Sequence, residues 1–296
     1  MGATASKPEA AESNCEAAAP NPEAASNPEE LHPLEQKLVQ QLRSGHTALP
    51  VLPHVATLAL RLASDPNASV TELARLIDGD PPIAARFLSV ANSVAYYRGW
   101  AASNTQAAIM RLGLASTRDL LFQVVYAAST QGLKRYQAEV QASFARSVIA
   151  GIACRNVCRE IAVHYEYDYM CGLLHDIGEA RVYRILAAQP KPKEGMALVE
   201  DLVRRYHAPA GAEVARAWKL PGDIVDVCAA HHDDEAKESF PVRLTMVADL
   251  CVAAVEAQRK GERGPDVAKF ERLGVEEIQV NRVLAKLREP SAPSNM

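Results

Sequence analysis

The chain has 296 residues, 48% of them hydrophobic, with 36 acidic against 32 basic side chains and a formal net charge of −4. That is enough apolar material for one large core or two small ones, but no run of 18 apolar residues offers a membrane-spanning helix. Six Glu against Lys7 within residues 1–33 account for −5 of the charge, leaving the remainder near +1, which argues against a broad electrostatic footprint for nucleic acid.

Residues 1–33 are rich in Ala, Glu, Pro, Asn and Ser. They cannot bury enough apolar surface to offset their ordering entropy, so a disordered acidic tail is expected. Met1-Gly2-Ala3-Thr4-Ala5-Ser6 fits the myristoylation pattern formally. The acidic, proline-punctuated start does not read as a secretory signal, so the expected location is cytoplasmic. The six cysteines, Cys15, Cys154, Cys158, Cys171, Cys228 and Cys251, form no C-x-x-C pair. They are read as small buried residues in a reducing compartment.

From Leu34 onward the pattern is helix after helix, without an alternating stretch long enough for a strand, so the fold class is all-α. The first helix is expected over 34–42. After Leu49, residues Val55, Leu58 and Leu62 form an apolar stripe that ends at Asp65-Pro66-Asn67. Ser69 with Glu72 forms a capping box before Val70, Leu73 and Ile77. Asp80-Pro81 starts a helix burying Ile83, Phe87, Leu88 and Ala91. Ser103 with Gln106 caps a short helix ending at Gly113, and Ser116 begins the next. A long helix is expected over 137–163, then helices over 168–175, 177–188, 194–206, 209–219, 222–233 and 240–259. Residues 259–296 comprise a loop and a closing helix near 274–288.

The unusual polar residues sit inside this apolar pattern. His175-Asp176 lies in Gly172-Leu173-Leu174-His175-Asp176-Ile177-Gly178, where burying either side chain costs several kcal/mol without a partner. His207 precedes Ala208-Pro209-Ala210-Gly211. His231-His232 closes a helix whose stripe is Ile224, Val227, Cys228 and His231. Asp249 is the single charge in Met246 to Val255, and a carboxylate in a helix apolar on every side needs a cation. Imidazoles and carboxylates from several helices are a plausible shell for a divalent ion such as zinc, iron or manganese. Each could instead cap or hydrogen-bond within the core. Tyr165, Tyr167 and Tyr169 could form a stacking platform, although packing between helices is the better reading.

The order of these motifs resembles the HD superfamily of metal-dependent phosphohydrolases. The stretches Leu49-Pro50-Val51-Leu52-Pro53, Asp80-Pro81 through Asn92-Ser93 and Ala107 to Gly113 resemble its HDOD branch in particular. The resemblance covers roughly residues 45–255. It implies a multi-helical HDOD-like domain over 34–258, with an N-terminal helical part at about 45–130 and a degenerate HD part at about 137–258. It also implies a bacterial signalling module without established hydrolase activity, working through protein partners, with a nucleotide as a conceivable ligand. The superfamily's first metal ligand, a histidine, corresponds here to Arg146. A guanidinium has no free lone pair for a metal, but it can satisfy a carboxylate. Arg146 is therefore expected to pair with Asp249 or Asp176 in place of the first cation. By the same resemblance, a single second-metal position would use Asp176, His207, His231 and His232. The rival expectation is an HD-type metal phosphohydrolase acting on a nucleotide or cyclic dinucleotide.

Overall fold

A computed structural model describes residues 31–44, 58, 62, 69–193 and 195–288. The expected tail up to residue 30, the Leu49–Pro53 segment, Val55 and the break at Asp65-Pro66-Asn67 lie outside the described residues, as does Cys15. Every regular element among the described residues is helical.

After α1 (Pro33–Arg43), three short helices pack against one another: α2 (Val70–Asp78), α3 (Pro81–Ala91) and α4 (Thr105–Leu112). Their starts follow capping chemistry. Ser69 accepts from the Glu72 amide and Asp80 from the Ile83 amide, each satisfying a donor the first helical turn leaves open. The α4 cap is Asn104, which accepts from the Ala107 amide, rather than the expected Ser103. Asparagine takes the extended cap geometry one residue later and leaves Ser103 outside the turn.

Gly113, at φ 79°, ends α4 and opens α5 (Leu114–Ser129) in a conformation that favours glycine. This places the start of α5 two residues before Ser116. Next come α6 (Gln137–Glu160), α7 (Asp168–Leu174), α8 (Ile177–Ala187), α9 (Met196–Ala217), α10 (Gly222–Ala230), a 3-10 turn at Asp234–Glu238 and α11 (Phe240–Lys260). The chain closes with the short α12 (Val267–Glu271), which the periodicity did not suggest, and α13 (Glu277–Arg288).

The spine is α6, against which α7, α11 and α13 pack, while α9 lies along α8 and α10. Helices expected at 194–206 and 209–219 form the continuous α9, with Pro209 inside it. Proline removes one donor from the ladder and crowds the carbonyl four residues back, but the buried Ala210, Ala212, Val214 and Ala215 hold the second half in line.

Two glycines set how closely these layers approach. A Cβ on Gly172 would overlap the backbone of Ala150 and Gly151 on α6. One on Gly178 would overlap the His207 carbonyl oxygen and the Gly211 amide on α9. The turn between them, His175-Asp176, is thereby pressed between α6 and α9.

Candidate metal centre

His175 and Asp176 occupy the turn from α7 to α8, His207 the middle of α9, His231 and His232 the end of α10, and Asp249 the middle of α11. The fold brings all six together. His175, His207 and His231 are each at most 3% exposed.

Their protonation follows from their neighbours. The Nδ1 of His175 lies 2.7 Å from the Gly172 carbonyl, that of His207 lies 3.0 Å from the Val203 carbonyl, and that of His231 lies 2.9 Å from the Val227 carbonyl. A carbonyl can only accept, so each Nδ1 carries a proton, and in a neutral His207 or His231 ring the Nε2 lone pair then faces inward.

Those lone pairs face one another. His207 Nε2 is 3.3 Å from His231 Nε2 and 3.1 Å from His232 Nε2, and Asp176 Oδ1 is 3.4 and 3.3 Å from the first two. The His207 and His231 lone pairs and the Asp176 oxygen converge without a proton to share and repel one another unless a cation sits among them, and His232 Nε2 completes the set in its Nδ1-protonated tautomer. Donors about 2.1 Å from a tetrahedral metal lie roughly 3.4 Å apart, so Asp176, His207, His231 and His232 fit a divalent ion. Burial depresses the His207 pKa despite the Asp176 carboxylate, and burial with the neighbouring imidazoles pushes His232 down to about 4. Both are thus in the neutral form that ligation requires.

His175 differs. Its Nε2 lies 3.1 Å from Asp176 Oδ2 and 2.9 Å from Asp249 Oδ1. Burial opposes the charged ring, but the two carboxylates outweigh it and carry its pKa well above the usual histidine range. Burial pushes the Asp176 carboxyl up, while the charged His175 ring holds it well below the carboxylate range. A proton on His175 Nε2 satisfies both acids. His175, His231 and Asp249 also form a second possible donor group.

Arg146 does not take the expected partners. Its Nη2 lies 3.0 Å from Glu179 Oε2, on the first turn of α8, whereas Asp176 and Asp249 both turn toward His175. Nor is Asp249 enclosed by apolar groups: its side chain is 30% exposed and lines a cleft of about 540 Å³ with Arg146, Glu179, His175 and His207. Sequence reasoning missed Glu179, along with Glu139, Glu200, Arg204 and Glu256 in the same cleft.

The tyrosines pack between helices. Tyr165 donates to Asp223 at 2.6 Å and meets Phe240 edge-on, and the Arg155 guanidinium lies 4.9 Å from the Tyr169 ring centre. The described cysteines are all buried and unpaired.

A family profile described as HDOD domain matches residues 49–234. A Treponema pallidum protein without an assigned function is 22% identical over 231 residues, covering 74% of this chain and 44% of its own length. A ribonuclease Y of Lactobacillus gasseri is 24% identical over 202 residues, 64% of this chain and 33% of its own. The chain thus spans less than half the length of these curated relatives. Among solved structures, an HDOD domain protein of unknown function from Geobacter sulfurreducens superposes with a TM-score of 0.59 at 22% identity, covering 86% of this chain and 88% of that one. A Shewanella amazonensis protein described as a candidate metal-dependent phosphohydrolase gives 0.66 at 20% identity, covering 86% and 98%. At such identities the likeness speaks for the fold alone.

Proposed function

The chain belongs to the HDOD domain family, and on that footing we propose that it is a regulatory protein working through contacts with other proteins. In this reading it holds one divalent ion on Asp176, His207, His231 and His232. The observation that carries the metal reading is the convergence of Nε2 atoms at 3.1–3.3 Å, with Nδ1 of His207 and of His231 already committed to a backbone carbonyl. The ion would supply Lewis acidity and anchor a ligand, and zinc, iron and manganese all suit this donor set.

Beside it, His175 satisfies Asp176 and Asp249 with a proton, and Arg146 faces Glu179 where the family resemblance would put a further ligand. In-line attack on a phosphodiester gains most from two ions that stabilise both the attacking and the leaving oxygens. A site with one ion and a protonated neighbour therefore favours sensing over hydrolysis. No helix among the described residues is long and apolar enough to cross a membrane.

Elemental analysis of protein purified without chelator tests the metal: about one equivalent is expected, and none would refute it. Turnover of a cyclic dinucleotide above that of His175→Ala would overturn the regulatory reading. It would favour the second reading, an HD-type phosphohydrolase, for which the His175, His231 and Asp249 donor group and the likeness to ribonuclease Y speak.

A further inference from the structure

The metal cluster opens to two sides of opposite charge. On one side is the cleft lined by Glu139, Asp176, Glu179, Glu200, Asp249 and Glu256 against Arg146 and Arg204. An anion approaching along it meets an excess of carboxylates.

The other side is a cavity of about 500 Å³ that shares His232 and Asp249 with the first and also reaches His231. Its outer wall carries Lys237 from the 3-10 turn with Lys269 and Arg272 from the α12 region, against Asp234. Met246, Leu250 and Leu273 supply an apolar floor.

These three cations are exposed. Among the described residues none forms an ion pair, and the one side-chain hydrogen bond is from Arg272 Nε to the Ala268 carbonyl at 3.3 Å. Their other donors, the two ammonium groups and the Arg272 Nη atoms, are free for a ligand. The guanidinium fork and two ammonium groups around a mouth of this size suit the oxygens of a phosphate group. The cleft side of the same centre repels them.

We propose that a phosphate group, free or borne by a nucleotide, reaches the metal cluster through this basic mouth, held by Lys237, Lys269 and Arg272. Lys269 and Arg272 lie beyond the HDOD match, which ends at residue 234, so the C-terminal segment would set the ligand class of a site built by the family domain. The inference rests on the metal reading for the inner end of the ligand and on the charge distribution alone for its outer end.

The test is calorimetric titration of inorganic phosphate and, separately, AMP into the full chain, with metal content measured on the same samples. The double substitution Lys269→Glu with Arg272→Glu should weaken phosphate at least about tenfold, since each change removes a charge-assisted contact, and should leave metal content unchanged. Glu200→Gln, on the cleft side, should not weaken it. Equal affinity for the two probes would assign free phosphate, and tighter AMP a nucleotide. Wild-type affinity in the double variant would overturn the inference, as would no binding of either probe up to about 10 mM. Failure of the metal reading is seen separately. A chain without metal that still binds phosphate, and loses that binding in the double variant, upholds the basic mouth and refutes only the ion.

Discussion

Gly178→Ala isolates the contact that positions the centre. Gly178 is helical, so alanine would by propensity alone stabilise α8 by up to about 1 kcal/mol. The added Cβ, however, would overlap the His207 carbonyl oxygen and lie 2.9 Å from Gly211 Cα, where 3.4–4 Å is ordinary contact. All these neighbours are backbone atoms of α9, so no rotamer change relieves the overlap, and α8 must draw away from α9. Overpacking of this kind costs about 3 kcal/mol or more when backbone must move, leaving a net loss near 2 kcal/mol. With a urea slope near 3 kcal/mol/M for a chain of this size, the unfolding midpoint should fall by roughly 0.7 M. Because α8 begins directly after Asp176 and α9 carries His207, the same shift should loosen the metal. Gly222→Ala is the matched control: it also stands in the first turn of its helix, and a Cβ there meets nothing within 4 Å. If the two substitutions unfold at the same urea concentration, the close approach of α8 to α9 is not what holds the turn.

His207→Ala should reduce bound metal from about one equivalent to near background while leaving the helical circular dichroism intact; retention of a full equivalent would remove His207 from the ligand set. Arg146→Ala should cost only about 1 kcal/mol in chemical denaturation, because its guanidinium is a third exposed and screened by water. A loss above about 3 kcal/mol would mean that the pair with Glu179, whose side chain is only 15% exposed, behaves as a buried one. Glu35 tests the seam between α1 and α9. Burial pushes its carboxyl up, but Arg205 and Tyr206 outweigh burial and hold it below the usual 4.5. A depressed carboxylate stabilises the fold above its unfolded pKa, and that contribution is lost as pH falls through the folded value. The stability gap between wild type and Glu35→Gln should therefore be full at neutral pH and shrink below about pH 4.5. A gap that grows on acidification would contradict the pairing.

The residues legible in the sequence were those that break an apolar pattern. His175, Asp176, His207, His231 and Asp249 each interrupt a helix otherwise fit for the core, and that conflict marks them without any knowledge of the fold. Glu179 offers no such contrast. It stands on a helix with Arg181 and Arg184 and reads as an ordinary acidic first-turn residue favoured by the helix dipole, so the more conspicuous carboxylates stand out as partners for Arg146 instead. Lys269 and Arg272 are hidden similarly in Lys269-Phe270-Glu271-Arg272, a mixed-charge stretch indistinguishable from a solvated surface. The break expected before Pro209 failed for a different reason: propensity is local, whereas the α8 and α10 surfaces that keep α9 whole are supplied by distant parts of the chain.

Where the HDOD match stops has a practical bearing on α11, α12 and α13. A fragment trimmed at residue 234 would lose Asp249 together with the apolar side chains Phe270, Val280, Val283 and Leu284, all buried. Its α6 would present to water the strip that α11 and α13 now cover, inviting aggregation. Work on this chain should keep everything to Arg288, since the boundary that defines kinship falls short of the length that folds.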